Sequence, residues 1–371
     1  MKILYSCLSK SWGGMEMITI TSIKKLLDRK CEITLICLKE SRIHIEANEL
    51  GIIIYPLSAS KILYIVNIFI LNNLIKENRF DLIHTHASKD LWLLVPTLKL
   101  VRKNTPLFLT KHVGSFINKK DFFHRIIYKR VTKLFAISNV IKQNLLDTCP
   151  VDESKVILLH NGIDTDYFSS NEEIKIEGRR KWGIKKQELV IGMMGRFSPG
   201  KGHEEFLEAA IELNKKHDHL KFMIIGEASR GEDDFATKIK NLAKENKINN
   251  ITFTGYIKDV RETLSALDIF VFPSHAEAFG LALAEAMAMG LPSVCSNSDG
   301  VLDIAVDEET SFLFENKNSK NLTEKIELLI SSKDKRKNFG QKGRERIINN
   351  FNLESKTDMV IKIYEDHLNE A

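Results

Sequence analysis

Short, nearly continuous apolar runs alternate with longer stretches of helical period along the whole chain. The first is KILYSCL (residues 2–8), followed by a Gly-containing loop and a helical segment through Leu26 and Leu27. EITLICL (32–38), GIIIYPL (51–57), FDLIHTH (80–86), PLFLTKH (106–112) and KLFAIS (133–138) continue the series. Runs this apolar predict strands buried on both faces, as in a parallel sheet with helices on each side. The rhythm restarts at ELVIGMMG (188–195). It runs on through LKFMIIGE (220–227), NITFTG (250–255), DIFVFPS (268–274), LPSVCS (291–296) and SFLF (311–314). The pattern predicts an α/β chain of two Rossmann-like, doubly wound parallel-sheet domains in tandem. The polar stretch FSSNEEIKIEGRRK (168–181) reads as the linker. The most apolar stretch, ILYIVNIFILNNLI (62–75), is shorter than the ~20 residues that span a bilayer. It carries Asn67, Asn72 and Asn73, and reads as a buried helix.

The 371 residues suffice for two ordinary domains, each with its own core. Five scattered cysteines, Cys7, Cys31, Cys37, Cys149 and Cys295, show no C-x-x-C spacing. A reducing, cytoplasmic setting is expected, without a zinc site or disulfide framework. The N-terminal apolar run is too short for a signal peptide. The net charge of +5 hides a split. Residues 1–165 hold 24 Lys+Arg against 14 Asp+Glu, hence +10, and the remainder is −5. The basic half is expected to meet an anionic surface. The expected place is INKKDFFHRIIYKRVTK (117–133), where Arg125, Lys129 and Lys133 would form a helical stripe beside Phe122, Phe123, Ile126 and Ile127.

Open parallel sheets bind ligands at the carboxyl ends of their strands, so the strand ends hold the candidate chemistry. After the first strand, Gly13 and Gly14 permit close backbone approach before a helix N-terminus. The dinucleotide fingerprint G-x-G-x-x-G is absent there, which argues against a dehydrogenase. His112 stands where the fifth strand leaves the sheet. GRFSPGKG (195–202) matches the first seven positions of a phosphate-binding P-loop but has Gly202 where Mg²⁺-holding Ser or Thr would stand. Arg196 and Lys201 instead supply two cations able to neutralise a diphosphate without a metal. In PSHAEAFGLALAEAMAMGLPSV (273–294), amides around Phe279, Gly280 and Leu281 open a helix and can face a phosphate. Glu277 and Glu285 flank them. Carboxylates beside a diphosphate are unfavourable unless they bind hydroxyls, so the pair points to a sugar nucleotide.

These motifs, taken in order, resemble the retaining glycosyltransferases of family four. The resemblance rests on Glu277 and Glu285 within EAFGLALAEAMAMGLP, GGME at 13–16, TKH ending at His112, NGID at 161–164, and GRFSPGKG. It implies the GT-B fold, two such domains facing across a cleft. The implied division is an acceptor-side domain over 1–165, a nucleotide-sugar domain over 166–350, and a helix over 351–371 crossing back. It implies that Arg196 and Lys201 hold the leaving diphosphate, Glu277 the donor sugar and Glu285 the ribose. Gly13 and Gly14 would close over the phosphates, His112 would sit beside the sugar hydroxyls, Ile257 would meet the nucleobase, and Glu16 would lie on the acceptor side. Glu277, His112, Arg196 and Lys201 are the candidate catalytic residues. Two departures stand out: Asp299 where the family usually has Gly, and Asp303 where it usually has Glu.

The expected reaction is transfer of a hexose-type sugar from a UDP or GDP sugar to an acceptor hydroxyl, with retention and without metal or other cofactor. The acceptor is expected to be a glycan or lipid-linked, as in polysaccharide or lipopolysaccharide biosynthesis, with the protein peripheral on the inner face of the plasma membrane. No nucleic-acid partner is expected. A sugar-nucleotide 2-epimerase of the same architecture and a non-catalytic sugar-nucleotide binder are the alternatives.

Overall fold

The computed structural model describes residues 1–60, 64–229 and 231–370. The chain divides into two compact units. One comprises Met1–Gly162 with Glu354–Ala371, the other Ile163–Leu353.

In the first unit the apolar runs become β1 (Lys2–Cys7), β2 (Glu32–Leu38), β3 (Ile53–Leu57), β4 (Leu82–Thr85), β5 (Leu107–Lys111) and β6 (Lys133–Ala136), with β7 (Val156–Leu158) added at the edge. They form one sheet in the order β3-β2-β1-β4-β5-β6-β7. All neighbours are parallel. The order reverses beside β1, which sets its carboxyl end and that of β4 at a switch point. β7 escapes the sequence pattern because three residues are too few to show a period.

In the second unit β8 (Leu189–Met194), β9 (Leu220–Ile225), β10 (Ile251–Phe253), β11 (Ile269–Phe272), β12 (Ser293–Ser296) and β13 (Ser311–Phe314) repeat the design. Their order is β10-β9-β8-β11-β12-β13, again all parallel. Ile191, Phe222, Ile269 and Val294 from the strands pack with Phe206, Leu213 and Ile326 from the helices in one core.

Three expectations change. The stretch read as a linker is largely a helix, Glu172–Lys181, capped by Asn171 and tied down by Lys175 and Arg179 on Asp268 at 3.1 and 3.0 Å. Its polarity comes partly from a solvated face with Glu172, Glu173, Glu177 and Arg180, and partly from Lys175 and Arg179, whose charges face Asp268. The apolar helix, Tyr64–Glu77, is not buried (Ile62 and Leu63 lie outside the described residues). It sinks Asn67, Leu71, Leu74 and Ile75 but leaves Ile65 65% and Phe69 61% exposed. The expected basic helix is Phe122–Lys129 and stops before Lys133, which opens β6 and binds the Ser154 carbonyl.

Helix Leu353–Glu370 closes the chain on the first unit. Glu354 takes Lys25 at 2.6 Å and Arg29 at 2.7 Å, and Asp358 takes Arg29 at 2.7 Å. Tyr364 is fully buried against Phe108, and its hydroxyl bonds His84 Nδ1. Tyr364→Phe leaves that histidine nitrogen buried without its partner and is expected to cost about 1–3 kcal/mol. Urea unfolding against wild type measures it; an unchanged midpoint contradicts the anchoring role.

Candidate functional site

The carboxyl edge of the second sheet is built from loops that interlock backbone to backbone. The loop after β8 carries Gly195 to Gly202. Its Phe197 side chain is buried and its Phe197 amide donates to the Glu227 carbonyl, 3.0 Å away in the loop after β9. The His275 amide, beyond β11, donates to the Gly200 carbonyl at 2.8 Å. Gly202 has φ +78°, and a Cβ there would stand 2.2 Å from the Pro273 carbonyl oxygen. Only glycine fits. It is also the N-cap of helix His203–Asn214, which therefore starts with no side chain on its first amides.

The loop after β11 repeats the device. Gly280, at φ +107°, is the N-cap of helix Leu281–Ala288 and likewise offers no side-chain cap. Bare amides and the positive dipole end make both helix starts natural anion sites.

The charged groups converge here. Lys201 Nζ lies 2.5 Å from Glu277 Oε1, so two residues 76 positions apart form one partly buried pair. Arg196 is exposed, with Nη1 3.2 Å from Ser229 Oγ. His275 Nε2 meets Glu205 Oε1 at 2.7 Å, and Asn316 donates to the His275 carbonyl at 2.7 Å. Burial pushes the half-buried Glu285 carboxyl up to about 8, so it is mostly protonated at neutral pH. Phe279 is core: its ring packs on Phe351, and its backbone is what faces the helix start. Leu281 and Ile257 are half-buried, Ile257 in the loop beyond β10. Asp299 explains its own departure from the family pattern. It sits at φ +47°, in the left-handed region that glycine enters freely and Asp enters at modest cost. Asp164, which ends NGID, accepts the Tyr167 amide at 3.0 Å and so belongs to a turn.

The first unit gathers a different chemistry at the ends of β1, β4 and β5. Gly13 caps helix Gly14–Asp28 in an extended conformation that any residue can adopt, and a Cβ there would meet Glu16 Oε2 at 3.7 Å, an ordinary contact. Glu16 itself is buried in the first turn. His112 is buried, and its Nε2 is taken by His86 Nδ1 at 2.9 Å. His84, on the same side of β4 as His86, bonds Thr110 at 2.8 Å. Burial holds His84 and His112 down at about 3 and His86 well below its usual range, so the three rings are neutral. Asp90 accepts from Ser6 Oγ at 2.7 Å and from the Leu8 amide at 3.0 Å. His86 Nε2 and Asp90 Oδ1 are buried without a partner. The sequence reading found His112 and missed His84, His86 and Asp90. The available signal was HTH, two imidazoles two residues apart at the end of an otherwise apolar strand.

Two family models account for most of the chain. Glycosyltransferase Family 4 matches residues 12–167, and Glycosyl transferases group 1 matches residues 174–346. The chain belongs to the family-four glycosyltransferases. Within this glycosyltransferase family, it is 26% identical over 98% of its length to the *Escherichia coli* UDP-Gal:alpha-D-GlcNAc-diphosphoundecaprenol alpha-1,3-galactosyltransferase, covering 97% of that protein. It is 28% identical to the *Staphylococcus aureus* capsular polysaccharide biosynthesis glycosyltransferase CapM, over 65% of the chain and 63% of that protein. The glycosyltransferase from *Rickettsia africae* superposes with a TM-score of 0.91 at 26% identity, over 100% of this chain and 99% of that one. *Anabaena* HepE, solved with UDP and glucose, shares the GT-B fold at 19% identity and a TM-score of 0.84, over 98% and 99%.

For this glycosyltransferase the buried acid of the first unit has a measurable signature. Burial raises Asp90 from 3.8 to about 6. Between those values the folded state keeps a proton that the unfolded chain loses, so the group's contribution to stability falls as pH rises through that window. The full difference is about 3 kcal/mol. Asp90→Asn is expected to gain stability relative to wild type as pH rises from 4 to 7, measured by urea unfolding. A pH-independent difference contradicts it.

Proposed function

We propose that the chain transfers a sugar from a nucleoside diphosphate sugar, UDP before GDP, to a hydroxyl of a glycan or lipid-linked acceptor, with retention and without a metal ion. The observation that carries this reading is the Lys201–Glu277 pair beside two helices that both begin without a side-chain cap. A cation and bare amides suit a diphosphate. A carboxylate held next to them suits the sugar's hydroxyls.

In this reading the bond from the anomeric carbon to the diphosphate breaks ahead of attack. Negative charge grows on the departing phosphate oxygen, and Lys201, Arg196 and the helix amides stabilise it. Lys201 exchanges part of its contact with Glu277 for the phosphate, and Glu277 turns to the sugar as a positioning group. The departing oxygen takes the acceptor's proton on the same face, which retains configuration. Support for the donor and acceptor classes comes from the relatives. The *E. coli* protein is named for UDP-Gal and a diphosphoundecaprenol acceptor, and a *Campylobacter jejuni* relative, 26% identical over 86% of this chain, for a diphospho-undecaprenol one. Both names specify an alpha linkage.

The test is turnover of UDP and GDP sugars on polyprenyl-diphosphate sugar acceptors in excess EDTA, with the product linkage read by NMR. Arg196→Ala and Lys201→Ala are each expected to lower turnover by about 100-fold or more while circular dichroism stays unchanged. Near-normal rates in the folded double variant, loss of activity in EDTA restored by Mg²⁺ or Mn²⁺, or a β product from an α donor each contradict a part of the proposal.

Glu285 adds a pH dependence. Its carboxyl is mostly protonated in the empty site at neutral pH and titrates near 8. Ribose hydroxyls donate to the ionised form, so UDP binding should tighten between pH 7 and 9 and release a proton. Glu285→Gln should bind more weakly, with a flat profile. Calorimetry in buffers of different ionisation enthalpy measures both, and a flat wild-type profile contradicts the assignment.

A further inference from the structure

Three helices of the first unit carry exposed apolar side chains and are joined to one another by contacts through Trp92. On Tyr64–Glu77 the outward positions Ile65, Val66, Phe69 and Ile70 are all exposed, spaced i, i+1, i+4, i+5 along one stripe. The hydroxyl of Tyr64 bonds the carbonyl of Trp92, which joins that helix to Leu91–Val101. The Trp92 ring stands edge-on to His124, 5.2 Å between centroids, which joins Leu91–Val101 to Phe122–Lys129. There Phe122 and Phe123 are 70% and 64% exposed. In the loop just before, Phe116 is 97% exposed beside Ile117.

That loop is pinned. The Ser115 amide donates to Asn144 Oδ1 at 2.6 Å, Asn144 donates back to the Ser115 carbonyl at 3.0 Å, and the Lys119 amide reaches the Thr148 carbonyl at 2.7 Å. Phe116 is therefore held outward by its backbone. Soluble monomers seldom group this many exposed large apolar side chains without a partner for them.

The charge beside the aromatic residues is almost all of one sign. Residues 102–133 hold nine Lys or Arg and a single acid, Asp121. Asp121 is consumed locally, accepting the Phe123 and His124 amides and meeting the His124 ring at 2.5 Å. Lys120, Arg125 and Lys129 are exposed among the aromatic residues. Among the described residues no helix is long and apolar enough to cross a membrane. Aromatic and aliphatic side chains that reach the acyl boundary, ringed by cations that reach the headgroups, are the composition of an interfacial contact.

We propose that this three-helix face docks the protein on an anionic lipid bilayer. Phe116, Phe122, Phe123, Ile65 and Phe69 enter the interface, and Lys120, Arg125 and Lys129 pair with lipid phosphates. The proposal goes beyond the donor reading and does not require it, so its test needs no turnover.

The experiment is co-sedimentation with vesicles of phosphatidylcholine alone and of phosphatidylcholine with phosphatidylglycerol, at low and high salt. Sedimentation velocity of the free protein runs alongside. Binding is expected only to the anionic vesicles and several-fold weaker at high salt. Brominated acyl chains should quench the emission of wild type more than that of Trp92→Phe. Phe69→Ser with Phe123→Ser should lower the partition coefficient at least tenfold at either salt concentration. Lys120→Gln with Arg125→Gln and Lys129→Gln should lower it chiefly at low salt. All these positions are exposed, so circular dichroism should not change. No binding at low salt, or binding unaltered in both variants, overturns the proposal. So does a dimer in free solution that Phe69→Ser with Phe123→Ser dissociates, since the face would then belong to a second copy.

Discussion

Gly202 and Gly280 each turn the chain through the left-handed region directly before a helix, at φ +78° and +107°. At Gly202 the turn is also a close approach, because any Cβ would strike the Pro273 carbonyl. The consequence is chemical. A residue with a capping side chain would fill the first amides of the helix; glycine leaves them bare. Two such starts at the carboxyl edge of one parallel sheet give the second unit a positive, hydrogen-bond-donating floor. Lys201 and Glu277 complete it with one fixed charge of each sign. The phosphate and sugar-hydroxyl contacts proposed for the donor follow from that arrangement.

The first unit handles polarity in the opposite way. Its strand ends bury three imidazoles and keep them neutral, linked through Thr110, Tyr364 and one another. Tyr364 comes from the last helix of the chain, so the segment that returns to this unit also braces the strand carrying His84. The histidines and the terminal helix are thus parts of one packing arrangement, and Asp90 lies at the same strand ends with one oxygen unsatisfied.

Much of this was legible in the sequence because parallel strands buried on both faces must be apolar throughout. Twelve strands announce themselves as apolar runs, although the edge strands β3 and β10 are only partly buried, and the loops between them mark the chemistry. Arg196, Lys201, Glu277 and Glu285 were found by asking what stands at strand ends. What escaped had physical reasons. β7 is three residues long. Glu172–Lys181 is polar enough to pass for a linker because Lys175 and Arg179 spend their charge on Asp268, a partner invisible in linear order. Tyr64–Glu77 is apolar on both its inner and outer stripes, so composition alone implied burial. The Lys201–Glu277 pair joins residues 76 positions apart, a contact no local pattern encodes.

The central claim is that a nucleoside diphosphate binds at the carboxyl edge of the second sheet. Backbone hydrogen exchange with and without UDP reads it amide by amide. The account predicts new protection concentrated in residues 195–205 and 277–285, the two glycine turns and the helix starts behind them, and its loss in Lys201→Ala. Protection that falls elsewhere, or an exchange pattern that UDP leaves unchanged at millimolar concentration, would contradict it.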